Sequence, residues 1–259
     1  MPEGDSYTRA AARARPVLMG REVTGVDGSA PAVRRHSRSI LGRRVEEVRT
    51  RGKHLMFDLD SGLTIHVHLG MPGRVRAGSG RLTARDRGPL RLGLTTEAGS
   101  VWVLAAPTVE VARRDEIELR LERLGPDLLA DEFDWEEFRR RGDRYPGERT
   151  VSDFLLDQRV MAGVGNEYKC EVLFLEKLLP QRTMDGIDGT KREALATRAR
   201  RLLLPNARRA VRSTTGRPDE GTWVYGRKGL PCRRCRTAIE EEWVGDPARI
   251  TYWCPTCQG

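Results

Sequence analysis

Hydrophobic and polar residues alternate most clearly in two runs, 55–59 and 63–69, which flank the turn sequence 60–62. A period of two places the hydrophobic side chains on one face of a strand, so this stretch predicts a β-hairpin. Shorter alternating runs occur at 90–94 and 101–103. With the glycine-rich turns between them, these runs predict an antiparallel sandwich or barrel-like sheet domain within residues 22–115.

Residues 74–89 combine glycines with several arginines, namely Arg74, Arg76, Arg81, Arg85 and Arg87. This composition favours a mobile basic loop between two strands.

A different period marks the start of the chain and its second half. Near the amino terminus, small and apolar residues recur every three to four positions from Tyr7 to Leu18, which predicts an amphipathic helix. After the turn sequence 123–127, helical patterns follow. These patterns cover 131–141, 150–158, 166–178 and 189–213, the last of them kinked or interrupted by Pro205. From Gly221 onward the pattern returns to strands and turns.

Composition describes a polar chain of 259 residues, with 38% hydrophobic and 32% charged residues. Its net charge of +9 and its pI of about 9.7 favour a polyanionic partner. No apolar run of about 18 residues is present, so we expect no membrane association. The start lacks the pattern of a secretory signal, and we therefore expect a cytoplasmic protein.

The most specific spacing belongs to Cys232, Cys235, Cys254 and Cys257. Two CxxC pairs in one chain supply four thiolates for a tetrahedral Zn²⁺ ion, and a site filled by four protein ligands is structural. One structural Zn²⁺ per chain is therefore expected. The fifth cysteine, Cys170, falls within a predicted helix and is interpreted as a small buried residue.

Pro2 and Glu3 form the most unusual candidate site. Once Met1 is removed, Pro2 offers a secondary α-amine, and a main-chain amine titrates near ~8 rather than near ~10.4 as lysine does. The positive end of the following helix disfavours the charged form of this amine and so makes it more nucleophilic. Glu3 is close enough to exchange protons with the group that the amine attacks. The alternative is a processed terminus beside a solvated carboxylate.

Asn166 and Arg249 allow two interpretations each, and Lys53 and Met71 are weaker candidates. Asn166 follows the glycines of 163–165, so it either contacts a phosphate or caps a helix. Arg249 beside aromatic residues is either a phosphate clamp or a solvated charge, and Lys53 at a strand start is commonly a solvated edge charge. Met71, in a glycine-bounded loop, can act as an apolar wedge in a base stack.

Of His66 and His68, which alternate in the second strand of the hairpin, at most one is expected to face the core. Neither looks like a metal ligand.

Together these residues resemble the formamidopyrimidine-DNA glycosylase and endonuclease VIII family of bifunctional base-excision enzymes. The matching segments run in order from Pro2-Glu3 to the four cysteines, and they are Gly52-Lys53-His54, His68-Leu69-Gly70-Met71, Gly163-Val164-Gly165-Asn166 and Tyr225-Gly226-Arg227-Lys228-Gly229. The opening Pro-Glu-Gly is more similar to the endonuclease VIII branch.

The resemblance implies an α+β fold in three parts, with DNA bound in the cleft between. These are an N-terminal antiparallel β-sandwich with the catalytic terminus (1–122), a helix-two-turn-helix DNA-binding domain (123–220) and a zinc-finger hairpin (221–259).

The resemblance also implies a role for each candidate residue. Pro2 attacks the sugar C1′ and Glu3 is the general acid and base, while Lys53 holds a phosphate and takes part in proton transfer. Asn166 and Arg249 grip phosphates beside the lesion, Arg249 also serving the second elimination. Two further DNA contacts are implied, Arg123 next to the domain joint and Met71, which fills the gap left by the flipped nucleotide.

The implied function is a DNA glycosylase with abasic-site lyase activity that removes oxidised pyrimidines and nicks DNA by β,δ-elimination. Its partner is damaged DNA, duplex or single-stranded, and we expect a nucleoid-associated monomer. Two alternatives remain: the same chemistry on 8-oxoguanine and formamidopyrimidines, or a non-catalytic zinc protein that binds damaged DNA. One departure concerns the wedge, because the region that completes it in the glycosylase branch reads Ala105-Ala106-Pro107-Thr108-Val109 here.

Overall fold

A computed structural model describes residues 1–80, 82–217 and 219–259. The chain forms two compact units, Met1–Arg123 and Leu124–Gly259. In the described part of the chain, no helix has the length and apolar character needed to cross a membrane.

The first unit is a β-rich domain with four helices among its described residues. In chain order its elements are α1 (Gly4–Leu18), β1 (Gly25–Asp27), α2 (Pro31–Ile40), β2 (Val45–Arg51), β3 (His54–Leu59), β4 (Leu63–His68), β5 (Arg74–Gly78), α3 (Ala84–Arg87), β6 (Leu90–Thr96), β7 (Gly99–Leu104), β8 (Thr108–Arg113) and α4 (Arg114–Leu121).

Two antiparallel sheets of four strands organise this unit. One has the order β2-β3-β4-β8 and the other β1-β6-β7-β5. The predicted hairpin is confirmed as β3 and β4, which pair Phe57 with Ile65, and Gly62 takes the positive φ of +78° that their turn requires. Inward residues of both sheets join α1 in one apolar core, so the alternating pattern correctly predicted the buried faces.

The two helices beside these sheets differ in how well the sequence predicts them. The first is confirmed: Tyr7, Ala11 and Leu18 of α1 are buried at the predicted spacing. The second, α2, lies inside a segment where only strands were expected. Just two of its residues, Val33 and Ile40, are buried, so its sequence offers few apolar positions from which to predict a helix.

The expectation of a mobile loop over 74–89 is wrong for residues 74–78, which form β5 and pair with β7. Val75 faces inward and is buried. Arg74 and Arg76 point to the other face, where both form ion pairs with Asp86 of α3. Arg81 lies outside the described residues, and so does the side chain of Arg85.

The second unit contains the predicted helices. Its elements are α5 (Trp135–Gly142), α6 (Val151–Leu156), α7 (Asn166–Leu175), α8 (Gly189–Asn206), β9 (Glu240–Val244), β10 (Arg249–Trp253) and α9 (Pro255–Gln258). Each helical pattern is confirmed by a shorter helix, and α5 ends one residue beyond the predicted 141. Pro205 is accommodated in the last turn of α8, which ends one residue later.

The cores of this unit fall into two parts. One apolar cluster joins α6, α7 and α8, and another places Cys170 and Phe174 of α7 beside Ile239 and two of the paired cysteines. Strands β9 and β10 form the two-stranded hairpin expected near the cysteines. Cys170 is fully buried, as predicted.

Candidate nucleic-acid interface and metal centre

The amino terminus lies at the positive end of α1. Glu3 is the N-cap residue, and its backbone carbonyl accepts hydrogen bonds from the N–H groups of Ser6 (2.7 Å) and Tyr7 (3.3 Å). Its side chain is completely buried, whereas Pro2 is half-buried. A buried carboxylate and a half-exposed proline therefore meet at a helix end, where the helix dipole disfavours an additional positive charge.

Tyr7 fixes this helix end to the loop that follows β4. Its phenol oxygen accepts a hydrogen bond from the backbone N–H of Leu69 at 2.7 Å. Burial raises the pKa of Tyr7 well above its ordinary value, so the hydroxyl remains protonated. The bond ties α1 to the loop that carries Met71, although the two are 62 residues apart in sequence.

Met71 stands at the tip of a tight turn and is 67% exposed. Gly70 has a φ of +58°, and a Cβ atom there would lie 2.7 Å from Pro107 Cγ. The 105–108 segment, which departs from the glycosylase branch, thus packs directly beside the Met71 turn, and Pro107 is exposed. An exposed apolar tip with a second apolar residue near it suits a wedge between bases.

Lys53 occupies the two-residue turn between β2 and β3. Gly52 has a φ of +56°, while Lys53 is not among the residues with positive φ. Glycine at the first central position is the signature of a type II′ hairpin turn. Burial, together with the charge of Lys53, lowers the pKa of the nearby His68.

A row of hydrogen-bonded side chains lies beside this turn. His54 Nδ1 and His66 Nε2 are 2.7 Å apart, His66 Nδ1 is 2.6 Å from Glu110 Oε1, and Arg120 donates to Glu110 Oε2 at 2.8 Å. We call these four residues the histidine relay. It links β3, β4, β8 and α4.

Protonation states in the histidine relay follow from these contacts. Burial alone would raise the pKa of Glu110, but hydrogen bonds from His66 and Arg120 outweigh it and hold that pKa below its ordinary value. Burial lowers the pKa of His66 and lowers that of His54 to about 3. The ionised Glu110 accepts a hydrogen bond from the N–H at His66 Nδ1, so neutral His66 must accept at Nε2 and His54 must donate from Nδ1.

Sequence reasoning missed the histidine relay. Residues two apart in a strand point to the same face, so His66 and His68 share one face of β4. The apolar core contains Ile65 and Val67 from the opposite face, so the expectation that at most one of the two histidines faces the core holds. Both lie on the face of β4 that also meets His54: the His54 ring centroid is 4.9 Å from that of His66 and 5.4 Å from that of His68. Their spacing was a usable signal, but the partner Glu110 required knowledge of the strand register.

In the second unit, Asn166 is the first residue of α7, and Gly165 is its N-cap. The alternative role as a helix cap is therefore wrong. Asn166 is only 8% exposed. Its Nδ2 donates to the carbonyl of Ile250 at 2.7 Å, and its Oδ1 accepts from Lys169 Nζ at 2.9 Å. The amide thus joins the start of α7 to β10.

The two arginine candidates lie at the ends of elements and are exposed. Arg249 begins β10 opposite Val244, and Arg123 follows α4 at the end of the first unit.

The four paired cysteines meet at one point, as their spacing predicted. All four Sγ atoms lie within 4.8 Å of one another, including 3.3 Å between Cys235 and Cys254 and 3.9 Å between Cys232 and Cys257. Tetrahedral coordination with Zn–S bonds of about 2.3 Å separates sulfur atoms by about 3.8 Å. Four thiol ligands at this separation can bind a metal ion of that geometry.

Comparisons with known proteins agree with this geometry. Residues 1–121 match the formamidopyrimidine-DNA glycosylase N-terminal domain, and residues 124–217 match the formamidopyrimidine-DNA glycosylase H2TH domain. The helical patterns of the second unit therefore belong to the expected helix-two-turn-helix domain.

Two curated relatives align with the full length of the chain. A probable endonuclease 8 2 from Streptomyces coelicolor is 38% identical and 94% of it is covered. A DNA-(apurinic or apyrimidinic site) lyase Nei2 from Mycolicibacterium smegmatis is 39% identical and 99% of it is covered. Among solved structures, a complex of Lactococcus lactis Fpg with abasic-site DNA has a TM-score of 0.84 at 22% identity, with 100% of both chains covered. This likeness confirms the α+β fold.

Proposed function

Because the chain belongs to the formamidopyrimidine-DNA glycosylase and endonuclease VIII family of bifunctional glycosylase/lyases, we propose that it removes oxidised pyrimidines from DNA through an imine at Pro2 and nicks the strand by β,δ-elimination. The full-length match to an endonuclease 8 relative and the Pro-Glu-Gly start support this lesion class. The observation that carries the chemistry is the burial of Glu3 at the helix end beside Pro2.

The proposed reaction begins after removal of Met1, when the Pro2 nitrogen bonds to the sugar C1′ and the damaged base leaves. Glu3 protonates the ring oxygen, the sugar opens, and an iminium forms between Pro2 and C1′. The positively charged nitrogen stabilises the electron pair left when C2′ loses a proton. The phosphate on C3′ is then expelled, and a second elimination expels the phosphate on C5′.

Other residues around this centre bind the DNA and form no covalent bond to the sugar. Lys53 holds a phosphate and takes part in proton transfer, and Arg249, Asn166 and Arg123 hold further phosphates. Met71 enters the stack when the damaged nucleotide leaves it, and Pro107 beside it supplies a second apolar surface there.

Zinc is the proposed metal of the cysteine cluster, where it would hold the hairpin of β9 and β10 in a folded state. We further propose three domains with separate roles. Residues 1–122 carry the catalytic terminus, residues 123–220 form the helix-two-turn-helix DNA-binding domain, and residues 221–259 form the zinc finger. A monomer near the nucleoid, acting on damaged duplex or single-stranded DNA, completes the proposal.

Borohydride trapping tests the chemistry directly, because borohydride reduces an imine to a stable amine. Protein whose mature chain begins at Pro2 should form a covalent adduct with abasic-site DNA, and Pro2→Gly should abolish it or reduce it strongly. Glu97→Gln, at an exposed carboxylate of the same unit, is the matched control for Glu3→Gln. Only Glu3→Gln should lower base excision, by about a hundredfold or more.

A lesion panel decides the substrate class. Faster release of thymine glycol and 5-hydroxycytosine than of 8-oxoguanine supports the proposal, and the reverse order assigns the chain to the purine lesions. If protein that begins at Pro2 binds the lesion but forms no adduct and makes no nick, the chain is a non-catalytic protein that binds damaged DNA.

A further inference from the structure

Lys169 of α7 is completely buried, which is unusual for a lysine. The chain has 46 lysines and arginines, of which only five are lysines, and four of these five belong to the second unit. The Lys169 ammonium donates to Asn166 Oδ1 at 2.9 Å and to Thr251 Oγ1 at 2.5 Å. Burying a charge costs free energy unless hydrogen bonds replace those lost to water. The buried ammonium of Lys169 therefore depends on its hydrogen-bond partners.

The contacts of Lys169 close a ring of hydrogen bonds between α7 and β10. Asn166 Nδ2 donates to the Ile250 carbonyl, and Thr251 Oγ1 contacts the Arg249 carbonyl at 2.9 Å. The ring therefore holds the backbone at Arg249 and at the residue after it. We call Lys169, Asn166, Ile250 and Thr251 the lysine ring.

The ring also decides which way the Asn166 amide points. An ammonium has only donors, so the amide oxygen must face Lys169 and the amide nitrogen must face the Ile250 carbonyl. One of the two Nδ2 hydrogens is used by that carbonyl, and the other is the one that an incoming phosphate oxygen would accept. Without Lys169 only the Ile250 carbonyl would hold the amide in this orientation, and Asn166 Oδ1 would lose the donor that fixes it from the other side.

We propose that Lys169 is a positioning residue: it orients the Asn166 amide and fixes Arg249 relative to it, so that both reach neighbouring DNA phosphates together. The proposal rests on the phosphate contacts of the proposed function, but it does not depend on the imine chemistry. Lys169 itself, being buried, does not touch DNA.

The test is a double-mutant cycle on DNA binding. Lys169→Met keeps the length of the side chain and removes its hydrogen bonds. Lys177→Met, an exposed lysine just beyond the other end of α7, is the matched control. The probe is a fluorescein-labelled duplex with a tetrahydrofuran abasic analogue, which cannot form an imine, so failure of the trapping assay would not affect the result.

We expect Lys169→Met to raise the dissociation constant about tenfold, with its zinc content retained, and Lys177→Met to leave it unchanged. In a background that already carries Asn166→Ala and Arg249→Ala, Lys169→Met should add almost nothing. A merely structural role would instead weaken binding equally in both backgrounds.

Equal losses in both backgrounds would overturn the proposal, as would wild-type affinity for Lys169→Met. It would also be overturned if the Asn166→Ala and Arg249→Ala changes had no effect on binding. If Lys169→Met loses its zinc, Thr251→Val removes one partner of the ammonium with little change in volume. The same cycle with that variant must then show the same dependence on background.

Discussion

The two units support their proposed functional residues by different means. In the first unit, Pro2, Glu3 and Met71 stand at the ends of elements that an apolar core of two sheets and α1 holds in place. In the second unit, Asn166 and the Arg249 backbone are held by buried polar groups of the lysine ring. Apolar packing tolerates small changes at its edges, whereas a buried polar ring depends on each of its members.

A second buried polar group in the second unit also holds a distant segment of the chain by hydrogen bonds. Glu171, completely buried, accepts hydrogen bonds from the backbone N–H groups of Trp223, Val224 and Tyr225 and from the Thr214 hydroxyl. This single side chain organises the segment that leads into the finger. In the second unit this buried carboxylate therefore connects α7 to residues more than 40 positions away in the sequence.

Removal of the metal should produce the largest difference in hydrogen exchange between the two units. Cys254→Ala is expected to abolish zinc binding and to unfold the finger, because structural zinc contributes on the order of 10 kcal/mol. Hydrogen exchange followed by mass spectrometry should show faster exchange over 221–259 and no change in the first unit. Cys170→Ala, a buried cysteine outside the cluster, should keep its zinc. Full zinc occupancy in Cys254→Ala would disprove the assignment.

Loss of the Tyr7 hydroxyl should have a smaller effect, confined to the first unit. Tyr7→Phe leaves the buried N–H of Leu69 without its acceptor, which costs about 1–3 kcal/mol. Exchange should accelerate at residues 3–7 and 69–73, while the second unit serves as the internal control. Unchanged exchange at both segments would show that this bond does not hold the terminus.

Acidification should produce the smallest difference in stability between the two units. It should act on the first unit, because all four histidines lie there. His54 and His66 have pKa values below the ordinary value of about 6.5 in the folded state. The unfolded chain therefore binds more protons below pH 6.5, and folding stability falls as the pH falls from there toward about 3 for His54.

The expected slope is about 1 kcal/mol per pH unit for each such histidine. Exchange measured between pH 7.5 and 5.5, after correction for its intrinsic pH dependence, should show a stability loss in the first unit only. His54→Gln should make that loss less steep. An equal acid response in both units would assign it to groups other than the histidine relay.

Local patterns predicted much of this architecture. The hairpin of β3 and β4, the helix after Pro2 and Glu3, and the cysteine cluster each depend on residues whose spacing is fixed by the period of a strand, a helix or a metal knuckle. The prediction failed where an element has few apolar residues, as in α2, or where arginines alternate with buried residues, as in β5. There a glycine- and arginine-rich composition concealed a strand.

The sequence by itself determined the chemical inventory of this protein: a proline and a glutamate at a helix start, four paired cysteines, and the strands and helices whose period is regular. Only the tertiary structure decided which distant side chains form hydrogen bonds with each other. Examples are His66 with Glu110, 44 positions apart, and Lys169 with Thr251, 82 positions apart. The reason is physical: local periodicity reports which face of an element is buried. The partner of a buried polar group depends instead on strand register and on helix packing, which no local pattern encodes.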